Sequence, residues 1–212
     1  HHFYDSLCPA CARFNYEKRF QTASLAGRVA LITGARLKIG YQAALMMLRA
    51  GAKVLVTTRF PKDAAIRYSK ESDFNVWGSR LQIYGLDLRH SPSVEVFARH
   101  IEETNSRLDI LINNAAQTVR RPPGFYAHML KIEETPVNEL PSDAQPLLES
   151  YEVCKSNLLN GGLIQESVDG TTWISEWHKG KLTAPLGIVA AAQLSQIPYA
   201  CDQAATLNPT LF

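Results

Sequence analysis

The chain of 212 residues lacks any long apolar run. Its greasiest stretch, Leu186 to Leu194, is alanine-rich and falls well short of the ~18 residues that a membrane-crossing helix needs. No membrane partner is therefore expected. Cysteine is scarce, with four in all; these are too few, and too irregularly spaced, for a disulfide framework. That points to a reducing compartment, cytoplasmic or otherwise intracellular. The opening residues, polar and aromatic, are not expected to serve as a secretory signal. What is present is ordinary: 46% hydrophobic and 20% charged residues with net charge +2. This is the make-up of a soluble globular domain rather than a disordered tail.

Acidic residues are nearly missing from the first 60 positions, which hold two Asp/Glu against nine Lys/Arg. The remaining 152 positions hold 18 against 13, so a near-neutral total conceals a basic N-terminal third. Such a patch suits nucleic acid, an acidic protein face or a phosphorylated small molecule. The motifs decide among them.

Three stretches divide the chain. Residues 1–27 read as a leader in which aromatics (Phe3, Tyr4, Phe14, Tyr16, Phe20) alternate with charges without clear period. Residues 28–116 are regular. Val29 to Ile32 is a short continuous apolar run, the pattern of a strand buried on both faces. A helix follows, with an expected buried stripe of Ile39, Ala43, Met46/Met47 and Ala50, stopped by Gly51. Lys53–Thr58 reads as a second strand, Lys62–Ser72 as a helix and Leu81–Leu86 as a third strand. Ser91-Pro92 offers an N-cap and a first-turn proline to a helix with Val94, Phe97, Ala98 and Ile101 on one face. Leu108–Ile112 reads as a fourth strand. Alternation of this kind predicts an α/β fold with a doubly wound, Rossmann-type parallel sheet.

Residues 117–212 are less regular. Five of the eleven prolines fall within 117–146, and no strand is evident there. Helices are expected near 145–159 and 186–196. The third stretch thus reads as a Pro-rich insertion with an irregular, helical extension, and the sheet is expected to be incomplete.

The first strand runs into Thr33-Gly34-Ala35-Arg36-Leu37-Lys38-Ile39-Gly40. A tight turn after a buried strand needs glycine where φ is positive. The helix start that follows offers free N–H groups and partial positive charge to a pyrophosphate. This stretch resembles the T-G-x-x-x-G-x-G fingerprint of the short-chain dehydrogenase/reductase family. Two further motifs support the resemblance. Asp87-Leu88 is similar to the Asp-hydrophobic pair that holds adenine in that family, and Asn113-Asn114-Ala115-Ala116 to its N-N-A-G motif. The resemblance implies a nicotinamide cofactor held by Gly34, Arg36, Lys38, Ile39, Gly40, Asp87, Leu88, Asn113 and Ala115. Lys38 departs from the pattern, standing where the family has its middle glycine. Its side chain either crowds the pyrophosphate, points away, or adds charge beside it.

The second strand ends Thr57-Thr58-Arg59, without the acidic residue that an NAD site usually places there for the ribose hydroxyls. Arg59, with Arg36 as helper, suits a 2′-phosphate. NADP is therefore expected over NAD, and the basic third acquires a specific role.

The family's chemistry uses a tyrosine as acid/base, a lysine four residues later and a preceding serine. One Y-x-x-x-K occurs, Tyr151 to Lys155. However, Leu147, Tyr151, Cys154 and Leu158 form an apolar stripe that assigns Tyr151 to the core, and no strand carrying a serine precedes it. Ser175 and Lys179 lack a tyrosine. The catalytic residues are thus not identifiable. The Cys8-Pro9-Ala10-Cys11 leader with Asn15 and Lys18-Arg19, and the stretch Gln117 to Tyr126, resemble a subgroup with a long insertion after the N-N-A motif. In that subgroup the fifth strand and catalytic helix lie beyond the insertion. The chain is accordingly expected to end in or just after the insertion, without its catalytic half.

Cys8 and Cys11, with His1 or His2, have a zinc reading; too few ligands are nearby, no metal is expected, and a buried or redox-inert pair is favoured. Three functions are weighed: an oxidoreductase interconverting carbonyl and alcohol on an unidentified small molecule, a non-catalytic nucleotide-binding or structural subunit, and a nucleic-acid binder. The last is disfavoured, because most basic residues outside the leader lie around the nucleotide motifs. A homo-oligomer or a place in a larger complex is expected.

Overall fold

A computed structural model describes residues 3–116, 123–160 and 186–197. Strands β1 (Val29–Thr33), β2 (Lys53–Thr58), β3 (Leu81–Gly85) and β4 (Ile110–Ile112) form one sheet in the order β3-β2-β1-β4. All neighbours are parallel, with Val29 opposite Lys53, Val54 opposite Leu81 and Ala30 opposite Ile110. Helices intervene: α1 (Pro9–Lys18) before the sheet, α2 (Lys38–Arg49) after β1, α3 (Pro61–Tyr68) and the single turn α4 (Phe74–Trp77) after β2, and α5 (Ser91–Thr104) after β3. The α/β fold and doubly wound parallel sheet are therefore as the alternation of elements implies.

The central strands are buried nearly throughout, which explains their unbroken apolar sequences. Ile32, Leu55 and Ile83 are fully enclosed, each contributing about 1.5–3 kcal/mol of burial. The edge strand differs. β4 is shorter than Leu108–Ile112, and Leu111 is 54% exposed.

Helix α2 corrects the expected stripe. Its buried face is Gly40, Ala44, Leu45 and Leu48, while Ile39 and Met46 are 79% and 61% exposed. Glycine and alanine let the helix lie close to the sheet, so small residues rather than the largest apolar ones mark the inner face. Gly51 ends the helix as expected, at φ +100°. The start of α5 is also shifted by one residue: His90 is the cap and its Nδ1 accepts from the Ser93 N–H.

Two helices had no clear signal, one in the leader and one among the prolines, while a third matches the helix expected near 145–159. The leader forms α1, with Phe3 stacked on Tyr16 and Tyr16 against Phe20. In the third stretch α6 (Ala127–Glu134) lies among the prolines and packs on α3. Helix α7 (Glu149–Asn160) packs on β3 and buries Leu147, Tyr151, Cys154 and Leu158 together with the turn before it. Near the C-terminus the expected helix over 186–196 is two single turns, α8 (Leu186–Val189) and α9 (Ala191–Leu194).

Candidate functional site

Because the strands are parallel and in register, the segments after β1, β2 and β3 emerge along one edge. Thr33 pairs with Thr57 and Thr58 with Gly85, so the Gly34 loop, Arg59 and Asp87 follow neighbouring strand ends. A doubly wound sheet binds its ligand at such an edge.

The loop has the geometry of a close backbone approach. Gly34 sits at φ +68°, and a Cβ there would lie 2.8 Å from the Ala115 Cα. A Cβ at Gly40 would lie 2.7 Å from the Gly34 carbonyl oxygen and 2.5 Å from Asn114 Nδ2. Both positions therefore require glycine. Lys38 is the single non-glycine residue at positive φ among the described residues, at 55°. It keeps the left-handed backbone that glycine would adopt freely, and its side chain is exposed. Ile39 and Gly40 lie in the first turn of α2, where N–H groups have no intrahelical acceptor.

Other residues pin this loop. Asn114 Nδ2 donates to the carbonyls of Thr33 and Gly34 at 3.0 and 3.1 Å. The Ala115 N–H donates to Thr33 Oγ1 at 3.0 Å. The buried Tyr68 hydroxyl donates to the Ala35 carbonyl at 2.7 Å; burial pushes its phenol well above the ordinary range. Asn114 could be found from its motif. Tyr68 carries no sequence signal beyond its place in a helix.

At the end of β2 the two arginines both lie near the Phe60 ring, Arg36 at 5.3 Å from its centre, but differ in their charged partners. The Arg36 guanidinium donates to Asp63 Oδ2 at 2.7 Å, and Asp63 also accepts from Arg67 at 2.6 Å. Burial works against the Asp63 charge, but the hydrogen bonds from Arg67 and Arg36 outweigh it and hold the carboxyl below its usual range. Arg59 is different. Among the described residues no carboxylate pairs with it; its guanidinium lies 5.7 Å from the Phe60 ring centre and 4.8 Å from that of Tyr126. Its charge lies against this pair of contacting rings, and no described residue accepts from its guanidinium.

The third stretch builds the wall beside Arg59. Tyr126 packs on Phe60 at 5.3 Å between ring centres, and Phe60, Met129 and Ala192 form a small buried cluster. Glu133 at the end of α6 accepts from the N–H groups of Lys62 and Asp63 at 3.1 and 2.9 Å. Lys62 Nζ donates in return to the carbonyls of Glu133 and Thr135. Burial pushes the Glu133 carboxyl up to about 7, against those backbone hydrogen bonds.

The expected adenine contacts are arranged otherwise. Asp87 is 1% exposed, and its carboxylate accepts from the Arg89 N–H and guanidinium, the shortest contact being 2.6 Å. Its own N–H donates to the Gly187 carbonyl at 2.7 Å. Arg89 also donates to the carbonyls of Leu194 and Ile197. The segment 186–197 thus closes over Asp87, while Leu88 and Asn113 remain exposed. In this arrangement the Asp87 carboxylate is a structural anion rather than an open acceptor.

Tyr151 is 4% exposed, and its hydroxyl donates to the Ile188 carbonyl at 2.6 Å. Burial raises its phenol well above the ordinary range. Lys155 instead pairs with Glu152 at 2.7 Å. Tyr151 belongs to the core. Ser175, Lys179, His1 and His2 lie outside the described residues. Cys8 and Cys11 are both exposed, so of the expected buried or redox-inert pair the burial is corrected. No group of three metal-ligating side chains occurs among the described residues.

The short chain dehydrogenase family model matches residues 28–135, just over half of the chain. The chain belongs to the short-chain dehydrogenase family of oxidoreductases. Among individual proteins it is 40% identical over 124 residues to an uncharacterised protein of Acanthamoeba polyphaga mimivirus, covering 56% of this chain and 27% of that one. It is 32% identical over 94 residues to retinol dehydrogenase 13 of Mus musculus, covering 44% of this chain and 28% of that one. A short-chain dehydrogenase/reductase of Pyricularia grisea matches at 25% identity over 177 residues, 77% of this chain and 72% of that one. The chain thus spans little more than a quarter of the mimivirus and mouse proteins. Of solved structures, a Pseudomonas aeruginosa RhlG/NADP active-site complex overlaps with a TM-score of 0.36 at 26% identity, covering 60% of this chain and 47% of that one. No helix of the described residues is long and apolar enough to cross a membrane.

Proposed function

We propose that this chain carries the cofactor-binding part of an NADP(H)-dependent oxidoreductase that interconverts a carbonyl and an alcohol. The observation that carries the reading is Arg59. It stands where an NAD site places a carboxylate, and its charge is stacked on rings with no described acid to neutralise it. An arginine fork matches a phosphate dianion in geometry and charge.

The residues fit the cofactor from the 2′-phosphate to the pyrophosphate. Gly34 and Gly40 leave room that a Cβ would fill, and the first turn of α2 offers its N–H groups. Lys38 adds an exposed cation beside that turn. Asn114 and Tyr68 hold the loop, and Asn113 and Ala115 flank it on the β4 side. Arg36 acts through Asp63, steadying the start of α3 next to Arg59. The bound cofactor would supply the hydride. On the adenine side, Leu88 is exposed at the strand edge while Asp87 keeps the turn in shape.

The test is direct titration of NADPH and NADH by nicotinamide fluorescence. NADPH should bind tighter by about tenfold or more, the worth of one or two charged hydrogen bonds. Equal affinities would remove the NADP(H) reading.

A further inference from the structure

Cys8 and Cys11 take no part in the cofactor site, and their geometry supports a chemistry of its own. Both thiols are exposed. Cys8 is the residue immediately before α1, with extended backbone, and Pro9 opens the helix. The first turn is closed by the Ala12 N–H, which donates to the Cys8 carbonyl at 2.8 Å. Asn15 Nδ2 donates to the Cys11 carbonyl at 2.9 Å, fixing the backbone of the second cysteine. At a spacing of three in a helical turn the two side chains share one face. The Cys11 backbone N–H, and after it the Cys11 thiol, lower the Cys8 pKa below that of an ordinary thiol. Cys154 is the contrast: burial raises its thiol to about 11. A thiolate at a helix start, with a second thiol one turn away, is the arrangement that makes a dithiol reactive.

We propose that Cys8 and Cys11 form a redox-active dithiol that closes reversibly to an intramolecular disulfide by exchange with a low-molecular-weight disulfide such as oxidised glutathione. The Cys8 thiolate attacks one sulfur of the disulfide. That S–S bond breaks, and the first thiolate leaves with the electron pair and takes a proton from solvent. Cys11 then gives its proton to solvent and attacks the Cys8 sulfur, and the second thiolate leaves and is protonated. Two protein thiols are oxidised by two electrons, and one disulfide is reduced to two thiols.

The whole chain tests this in buffers of reduced and oxidised glutathione, quenched with acid, alkylated and mapped by mass spectrometry. A cross-linked Cys8–Cys11 peptide should grow with the oxidised fraction and vanish on reduction. Cys11→Ser should hold glutathione on Cys8, and Cys8→Ser should accumulate about tenfold less adduct on Cys11. Cys154 should stay unmodified throughout, which reports that the chain is folded. Absence of both the disulfide and the Cys8 adduct overturns the proposal. So does zinc bound at one per purified chain that shields both thiols until it is chelated, since the pair would then be metal ligands.

Discussion

The Arg59 guanidinium rests 4.8 Å from the ring centre of Tyr126, a residue 67 positions later that lies beyond the edge strand. The cofactor half of the fold and the segment that follows it meet at this contact. An arginine aimed by stacking keeps its donors free for phosphate. Tyr126→Ala should therefore weaken NADPH by about threefold to tenfold, in line with the ~0.5–2 kcal/mol of a cation–π contact. Tyr126→Phe should keep the wild-type affinity. Fluorescence titration of both variants reads the difference; loss of binding in the phenylalanine variant would mean that the hydroxyl, not the ring, matters.

Lys38 holds a left-handed backbone at φ 55° without being glycine. That conformation costs an L-residue roughly 1–2 kcal/mol, part of which glycine's extra unfolded-state entropy offsets. Lys38→Gly should stabilise the chain by about 0.5–1 kcal/mol, measured as a shift in the urea midpoint at constant slope. Lys38→Ala keeps the strain and should gain nothing.

Glu133 gives a pH dependence with a definite sign. Its carboxyl stands at about 7 in the fold against an ordinary 4.5. The folded state therefore holds its proton more tightly than the unfolded state. The associated stability is fully present below pH 4.5 and is lost as pH rises through about 7, on the order of 3 kcal/mol at most. Glu133→Gln removes the titration but keeps one acceptor oxygen for the two backbone N–H groups. It should be less stable than the wild type at pH 5, with the gap narrowing by pH 8. A gap that stays constant between the two pH values would show that Glu133 does not titrate in this range.

Arg89 and Asp87 form a buried pair at 2.6 Å, with 21% and 2% of their side chains exposed. Removing the cation alone leaves an unpaired anion, a change that typically costs about 3–5 kcal/mol. Arg89→Ala should lower thermal stability sharply, and Asp87→Asn much less. If Arg89→Ala instead left stability unchanged and tightened NADPH, Asp87 would be a ligand group that Arg89 restrains.

The β-α alternation, the glycine loop and the core role of Tyr151 were legible in sequence. Continuous apolar runs mark doubly buried strands, and Leu147, Tyr151, Cys154 and Leu158 recur at helical spacing. The inner face of α2 was misread because Ile39 and Met46, although apolar, lie outside, while Gly40 and Ala44 give the close approach to the sheet. Exposed apolar side chains are common enough that size alone misleads. Helix α6 was hidden by the prolines on either side of it, and α1 by a face that buries little more than Ala12. The ring stack on Arg59 and the closure of 186–197 over Asp87 join residues far apart in the chain, and no local pattern announces them.

The proposed role of Arg59 is to read a 2′-phosphate. The most direct measurement is the pair of dissociation constants for NADPH and NADH in the wild type and in Arg59→Ala. The substitution should weaken NADPH by about tenfold or more and leave NADH within about twofold, so that the preference collapses. Equal weakening of both cofactors, or no weakening of NADPH, would contradict it.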